Sequence, residues 1–372
     1  MNRKLIFFHF MVFLIISVCS LLSAEDKLYE TVPDVLPNAK SPVDTLFGEP
    51  LTRIIKATIS DSFDKALPIV DSLKKEYPDE PAPYFFEAAL LQNWMSTQRI
   101  NQFEKEVEEN VQTVIDKGTK MLEERNDPWV HFYLGGAYGY RGFARFRKWN
   151  FIGAYKDASK GIDHFKKLLA IDSTVYDVYL GLGSYYYWRT AKSTFIRIIA
   201  FWMSDKRELG IEQLKFTIQH GRYASNEAIY VLLATYYDAK RFEEARELLN
   251  HTINKKGFAN LTDLYFKGRI AAVFEDWAEV ESAFSEILAR LEKYKYPSIG
   301  YQVECKYWIA KAKSEHGEAE QALQLANQAL ELSKQRNEDK EIEGHIDSFN
   351  DIKKYLEELF KDLNKMALKG SL

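Results

Sequence analysis

From about residue 49 to residue 337 the chain repeats one pattern: an amphipathic helix, a short break, and a second amphipathic helix. The clearest copy spans residues 225–253. Ile229, Leu232, Leu233 and Tyr236 recur at the spacing of one helix face, and Phe242, Ala245, Leu249 and Ile253 do the same after a break at 239–241. A pair of such helices cannot bury its apolar stripe alone, so tandem copies must stack on one another. Ala245 is small where the two helices of the pair approach most closely. No stretch alternates with the period of two that a half-buried strand requires. The expected fold class is therefore all-α.

Similar starts fall near residues 47, 81, 128, 176, 226, 261 and 303. His131, Leu134, Gly135 and Tyr138 share one spacing with Tyr179, Leu182, Gly183 and Tyr186; Phe63, Ala66, Val70, Leu73 and Pro78 read as a second helix, as do Ala322, Ala326, Ala329 and Leu330. This spacing resembles the tetratricopeptide repeat, a unit of about 34 residues with a W-x2-L-G-x2-Y…A-x3-F…P pattern. The resemblance covers most of residues 47–337 and implies a right-handed α-solenoid of about seven helical hairpins. Three units, starting at 81, 128 and 176, are longer than the usual repeat by about 13 to 16 residues each. The excess falls at 96–107, 142–158 and 190–207, between the first and second helix, where it is expected to form an added layer. In this the chain is similar to an exported bacterial branch of the superfamily with elongated hairpins. Residues 338–372 read as a C-terminal cap: Ile352, Tyr355, Leu356, Leu359, Phe360 and Leu363 form one stripe, with charge on the remaining faces.

The first residues bear on compartment. Arg3 and Lys4 precede an uncharged run from Leu5 to Leu22, followed by Ser23 and Ala24. A short basic start, an apolar core and small residues make residues 1–24 a signal peptide. Retention as a membrane anchor and lipid attachment at Cys19 are the alternatives. An exported protein, periplasmic or outer-membrane associated in a Gram-negative bacterium or else secreted, is the expectation. Residues 25–48, with Pro33, Pro37 and Pro42, read as an extended leader. Loss of Cys19 with the signal leaves Cys305 alone, so no internal disulfide supports the fold. Lys and Arg number 50 against 54 Asp and Glu, a balance that gives no reason to expect nucleic acid.

Catalysis needs a constellation of residues, and none is legible. His131, His164, His220, His251, His316 and His345 fall singly, and no HExxH, CxxC, P-loop or Gly-x-Ser-x-Gly motif occurs. Gly181 and Gly183 lie in an amphipathic helix, where glycine permits close helix contact. The expectation is a protein without enzymatic activity, metal or cofactor.

What remains is binding. Residues 128–200 carry a marked excess of Lys and Arg, interleaved with Tyr138, Tyr140, Phe143, Phe146, Trp149 and Tyr185–Trp188. These aromatics are either core or a surface for an acidic peptide, lipid head group or glycan. The uncharged run in Phe195–Met203, broken only by Arg197, reads as a buried hairpin face. In the tetratricopeptide family, first helices line the concave surface. Carried over by register, that surface takes Phe85, Gln92 and Asn93; Trp129, Phe132 and Tyr140; Asp177, Tyr187 and Trp188; Glu227, Tyr230, Tyr237 and Asp238; and Tyr265 and Arg269. Phe132, Tyr140, Arg141, Tyr187, Trp188, Arg189, Tyr230 and Tyr237 are the expected partner-binding residues, because aromatics and arginine supply contact area and planar hydrogen bonding. The expected partner is a protein or peptide. A glycan, lipid or peptidoglycan fragment on residues 128–200 is the alternative, and membrane contact is expected only through the N-terminus or an inserted hairpin.

Overall fold

The computed structural model describes residue 29, residues 31–191 and residues 204–370. The signal segment, Cys19 and the run Phe195–Met203 lie outside the described residues, as does most of the 190–207 excess.

Among the described residues fifteen α-helices follow one another, and none of these residues forms a strand. They pair as α1 (Gly48–Ile59) with α2 (Phe63–Glu76), α3 (Ala82–Gln98) with α4 (Glu104–Glu124), and α5 (Pro128–Arg147) with α6 (Phe151–Ile171). Then come α7 (Tyr179–Ala191) with α8 (Arg207–His220), α9 (Ser225–Asp238) with α10 (Phe242–Lys256), α11 (Leu261–Val273) with α12 (Trp277–Leu291), and α13 (Ile299–Glu315) with α14 (Ala319–Ser333). These are the seven expected hairpins. The last begins at Ile299, where Ser298 caps the helix by accepting from the Tyr301 amide, four residues before the register placed it. The final helix, α15 (Phe349–Gly370), packs on α13 and α14 and buries Ile352, Leu356 and Leu363 while its other faces stay charged and exposed.

Small residues let the helices approach. Ala245, Ala322, Ala326 and Ala329 are fully buried. Gly183 and Gly210 face each other so closely that a Cβ on Gly210 would lie 2.6 Å from the Gly183 carbonyl oxygen and 2.8 Å from the Tyr187 nitrogen. The tight crossing of α7 and α8 thus admits only glycine at Gly210. The excess residues do not form an extra layer where they are described. They lengthen helices instead: α4 and α6 have 21 residues each and α5 has 20, against 14 in α9 and 13 in α11.

The array also closes on itself. The turn of the second hairpin meets the segment that joins α14 to α15, with Ile100 and Glu341 forming an isolated antiparallel bridge, and Asn101 donates to the Lys340 carbonyl at 2.8 Å. Inside this junction Arg99 lies over Tyr301 at 3.8 Å and donates to Glu304 at 2.5 Å; Arg269 reaches Glu304 at 3.3 Å and Asp347 at 2.7 Å. The first hairpin docks on the sixth: the Asp61 carboxylate accepts from the Leu261 amide at 2.8 Å, and Asn260 donates to the Ile59 carbonyl at 3.0 Å.

The described residues of the leader before Gly48 form no helix, and they are tied down. Tyr29, Val32, Val35 and Ala39 pack on the cluster around Phe165, Leu182 and Phe216. Ser41 donates through its amide to the His220 carbonyl, and Asp44 accepts from the Tyr133 hydroxyl at 2.6 Å. No described helix is long and apolar enough to cross a membrane.

Two measurements check this architecture. Ala245→Leu and Ala322→Leu should each overpack a hairpin and lower stability by about 1–3 kcal/mol, read from urea unfolding. Glu304→Gln should cost about 3–5 kcal/mol, because two buried guanidinium groups lose their shared carboxylate; unchanged unfolding would mean the closure adds nothing to stability.

Candidate partner-binding surface

The first helices of the hairpins face the centre of the closed array, and one part of that inner face remains open to a ligand. Phe85 on α3 is its hub. The ring lies over Gly136 on α5, where a Cβ would come within 2.5 Å of it. It stacks on Tyr140 at 5.9 Å and meets the edge of Phe132 at 6.2 Å. All three rings are half-buried. Gln92 and Asn93 follow on the same helix, each donating locally, to Ser96 and to the Ala89 carbonyl. Glu227 on α9 is exposed to solvent yet walled in by protein, and this confinement pushes its carboxyl above the usual range. Burial likewise raises the Tyr140 phenol, and the nearby Glu227 charge adds to the shift. The aromatic platform and the Glu227 carboxylate are therefore near enough for the charge to act on the Tyr140 phenol.

The other expected residues are mostly committed elsewhere. Tyr187 is fully buried, and its hydroxyl donates to Asp238 at 2.7 Å, so it does not belong to an open surface. The close crossing at Gly183 and Gly210 draws α8 over it. Arg141 is held by a two-pronged pair with Asp157, at 3.1 and 2.9 Å, and also donates to Gln112. The Tyr230 hydroxyl accepts from Lys256 at 3.0 Å and Asn260 at 2.8 Å. Tyr237 packs edge-on against Phe242 and accepts from Arg269 at 3.4 Å. Trp188 is half-buried with its ring set edge-on to Tyr187 at 4.9 Å. Arg189 is half-buried over Tyr186 at 4.9 Å and Tyr185 at 5.3 Å, and its Nε has no acceptor. Among the remaining inherited positions, Tyr265 and Arg269 are buried in the closing junction, and Asp177 caps a turn by accepting from the amides of Arg222, Tyr223 and Ala224. Of the expected set, Phe132 and Tyr140 form a half-buried aromatic platform, with Phe85 between them.

The basic stretch is largely paired as well. Arg145 joins Arg141 on Asp157, and Arg147 and Lys148 reach Glu104 and Glu108. Beside these pairs a shallow cleft runs between α3, α4 and α5, lined by Met95, Val107, Tyr140, Phe143 and Arg147 among others. Among the described residues no three His, Cys, Asp or Glu side chains gather where they could hold a metal ion.

No family model and no curated protein matches the chain. Solved structures do. The Rap protein complexed with competence and sporulation factor is 13% identical over 77% of this chain and 76% of its own, with a TM-score of 0.44. The apo form of RapI is 10% identical over 79% and 78%, at 0.38, and the yeast Tom70 is 13% identical over 91% and 68%, at 0.40. The fold is tetratricopeptide-like. That statement rests on the seven stacked hairpins and their small-residue crossings; likenesses this distant say nothing of a ligand.

The tetratricopeptide-like register also joins two histidines that are far apart in sequence. His131 on α5 and His164 on α6 meet with their Nδ1 atoms 2.9 Å apart, and the His164 ring stacks on Tyr138 at 5.6 Å. Burial, with His131 and two lysines adding, lowers the His164 pKa to about 4 from an ordinary 6.5. A histidine kept neutral in the folded state stabilises fully above its unfolded pKa and loses that stability as pH falls towards its folded one. Unfolding free energy should therefore drop, on the order of 2 kcal/mol, between pH 6.5 and 4. The His164→Phe variant should flatten that slope; an equal slope in both proteins would assign it to other groups.

Proposed function

We propose that this protein is a non-catalytic scaffold of the cell envelope that holds a peptide or an extended protein segment against its inner face. The observation that carries the reading is the Phe85–Phe132–Tyr140 platform: three touching aromatic rings left half-exposed, while most polar groups around them are already paired. Rigid aromatics offer large contact area at low entropic cost and dominate binding hot spots. The confinement around Glu227 favours a single extended chain over a folded domain. The same carboxylate, together with the pairing of Arg141, argues against selection for acidic partners at this face. Envelope location follows from the N-terminal segment: a basic start, an uncharged run to Leu22 and small residues after it.

A second reading places a glycan, lipid or peptidoglycan fragment on the aromatic, basic surface of residues 128–200. It draws on Phe143, Phe146 and Trp149, which are exposed.

Capture from envelope extract separates the two. Tyr140→Ala should lose the captured partner with a penalty of about 2 kcal/mol or more, roughly thirtyfold in affinity, at unchanged melting temperature. Arg189→Ala tests the rim in the same way. A partner retained by both variants would overturn the inner-face assignment.

A further inference from the structure

At each of the six hairpins whose turn lies among the described residues, the chain turns between the two helices through one residue of positive φ. At five of these turns the residue is Asp61, Arg99, Lys240, Glu275 or Gly317. At the turn between α5 and α6 it is Trp149, with a φ of 60°. A bulky side chain in the left-handed region costs backbone energy that glycine or asparagine would spare. Trp149 contributes little burial in return, since 81% of it is exposed. Phe151 and Ile152, which open α6, are 51% and 73% exposed, and Phe146 is exposed on the last turn of α5. Phe151 touches both Phe146, at 5.5 Å, and Trp149, at 5.8 Å, so the group is preassembled.

The hairpin is long: α5 has 20 residues and α9 has 14, a difference of about 9 Å at the α-helical rise. The apolar group sits at its apex with its large side chains exposed, and an exposed apex cannot enclose a peptide as a groove does. Cations lie about one turn behind it. The ion pairs there do not cancel their field: Arg141 and Arg145 share Asp157, Arg147 and Lys148 reach Glu104 and Glu108, and Lys156 and Lys160 add two further charges.

We propose that the apex of the α5–α6 hairpin inserts into the interface of a lipid bilayer bearing anionic head groups. Trp149, Phe151 and Ile152 enter the boundary between head groups and acyl chains, where aromatic rings are favoured, and the cations behind them meet lipid phosphates. Binding at the inner face is independent of this contact.

The test reads Trp149 alone in the full chain. Its emission is isolated as the difference between the parent and Trp149→Phe, which removes one of the seven tryptophans. Vesicles of phosphatidylglycerol and phosphatidylcholine carrying brominated acyl chains should quench that component and shift it to the blue, whereas pure phosphatidylcholine should do so weakly. Attachment of the chain through any other segment leaves this readout unaffected. Lys148→Gln and Lys156→Gln should each weaken the quenching titration by about fivefold. A Trp149 component that is unquenched on anionic vesicles and stays equally open to iodide overturns the proposal. So does concentration-dependent self-association abolished by Trp149→Phe without lipid quenching, which would make the apex an interface between copies.

Discussion

Glu304 is the group on which the closed shape depends. Burial alone would force its carboxyl neutral, but Arg99 and Arg269 outweigh that cost and hold it below the usual range. Neither arginine could remain buried without it. Arg99 comes from the turn after α3, Arg269 from α11 and Glu304 from α13, so one carboxylate ties the second hairpin to the sixth and seventh. Tyr265 and Tyr301 form the walls, presenting ring faces to the Arg99 guanidinium. A stacked array otherwise contacts only its neighbours and bends easily along its length. Closing it through a buried charge network converts a flexible superhelix into a body with an inside.

The leader reinforces that conversion from a second direction. Asp44 accepts from the Tyr133 hydroxyl of the third hairpin, and its own amide donates to the Tyr223 hydroxyl oxygen in the loop before the fifth. The Ser41 hydroxyl accepts from the Asp177 amide, and the Ser41 carbonyl from Arg222. Asp177 in turn holds three successive amides at the entrance of α9. A stretch without helix thus ties together units three, four and five, the third of which carries Phe132 and Tyr140.

Helix boundaries were legible in the sequence because the apolar period is local: each stripe is visible within one turn or two. Closure was not legible, since nothing local distinguishes the buried Arg99 or Glu304 from the solvated arginines and glutamates of the helix surfaces. The inner-face register named Phe85, Phe132 and Tyr140, whose rings meet, and also Tyr187, which is buried. Helical phase does point Tyr187 inward; the glycines that draw α7 and α8 together then bury it. His131 and His164 were read as isolated because their meeting depends on how α5 crosses α6. Trp149 shows the converse. Composition alone left the aromatics of residues 128–200 undivided between core and surface, and the division is made by hairpin length, which carries Phe146, Trp149 and Phe151 past their neighbours while Tyr138 stays buried.

Closure has a consequence for binding that an open solenoid would not share. Ordering a flexible receptor around its ligand subtracts from affinity, and a preformed interior avoids much of that loss. It also restricts entry: a segment reaching Tyr140 must thread past the rim or wait for a hairpin to separate. The weakest candidate for such separation is the contact of the first hairpin with the sixth. There the Asp61 carboxyl, pushed up to about 6 by burial, accepts the Leu261 amide only through a rim of Asn260 and Arg290. Its charge, unlike that of Glu304, is not secured by two buried guanidinium groups. The junction at Glu304 is thus a buried charge network, whereas the first hairpin meets the sixth through the Asp61–Leu261 and Asn260–Ile59 hydrogen bonds and a longer Arg290–Asp61 contact.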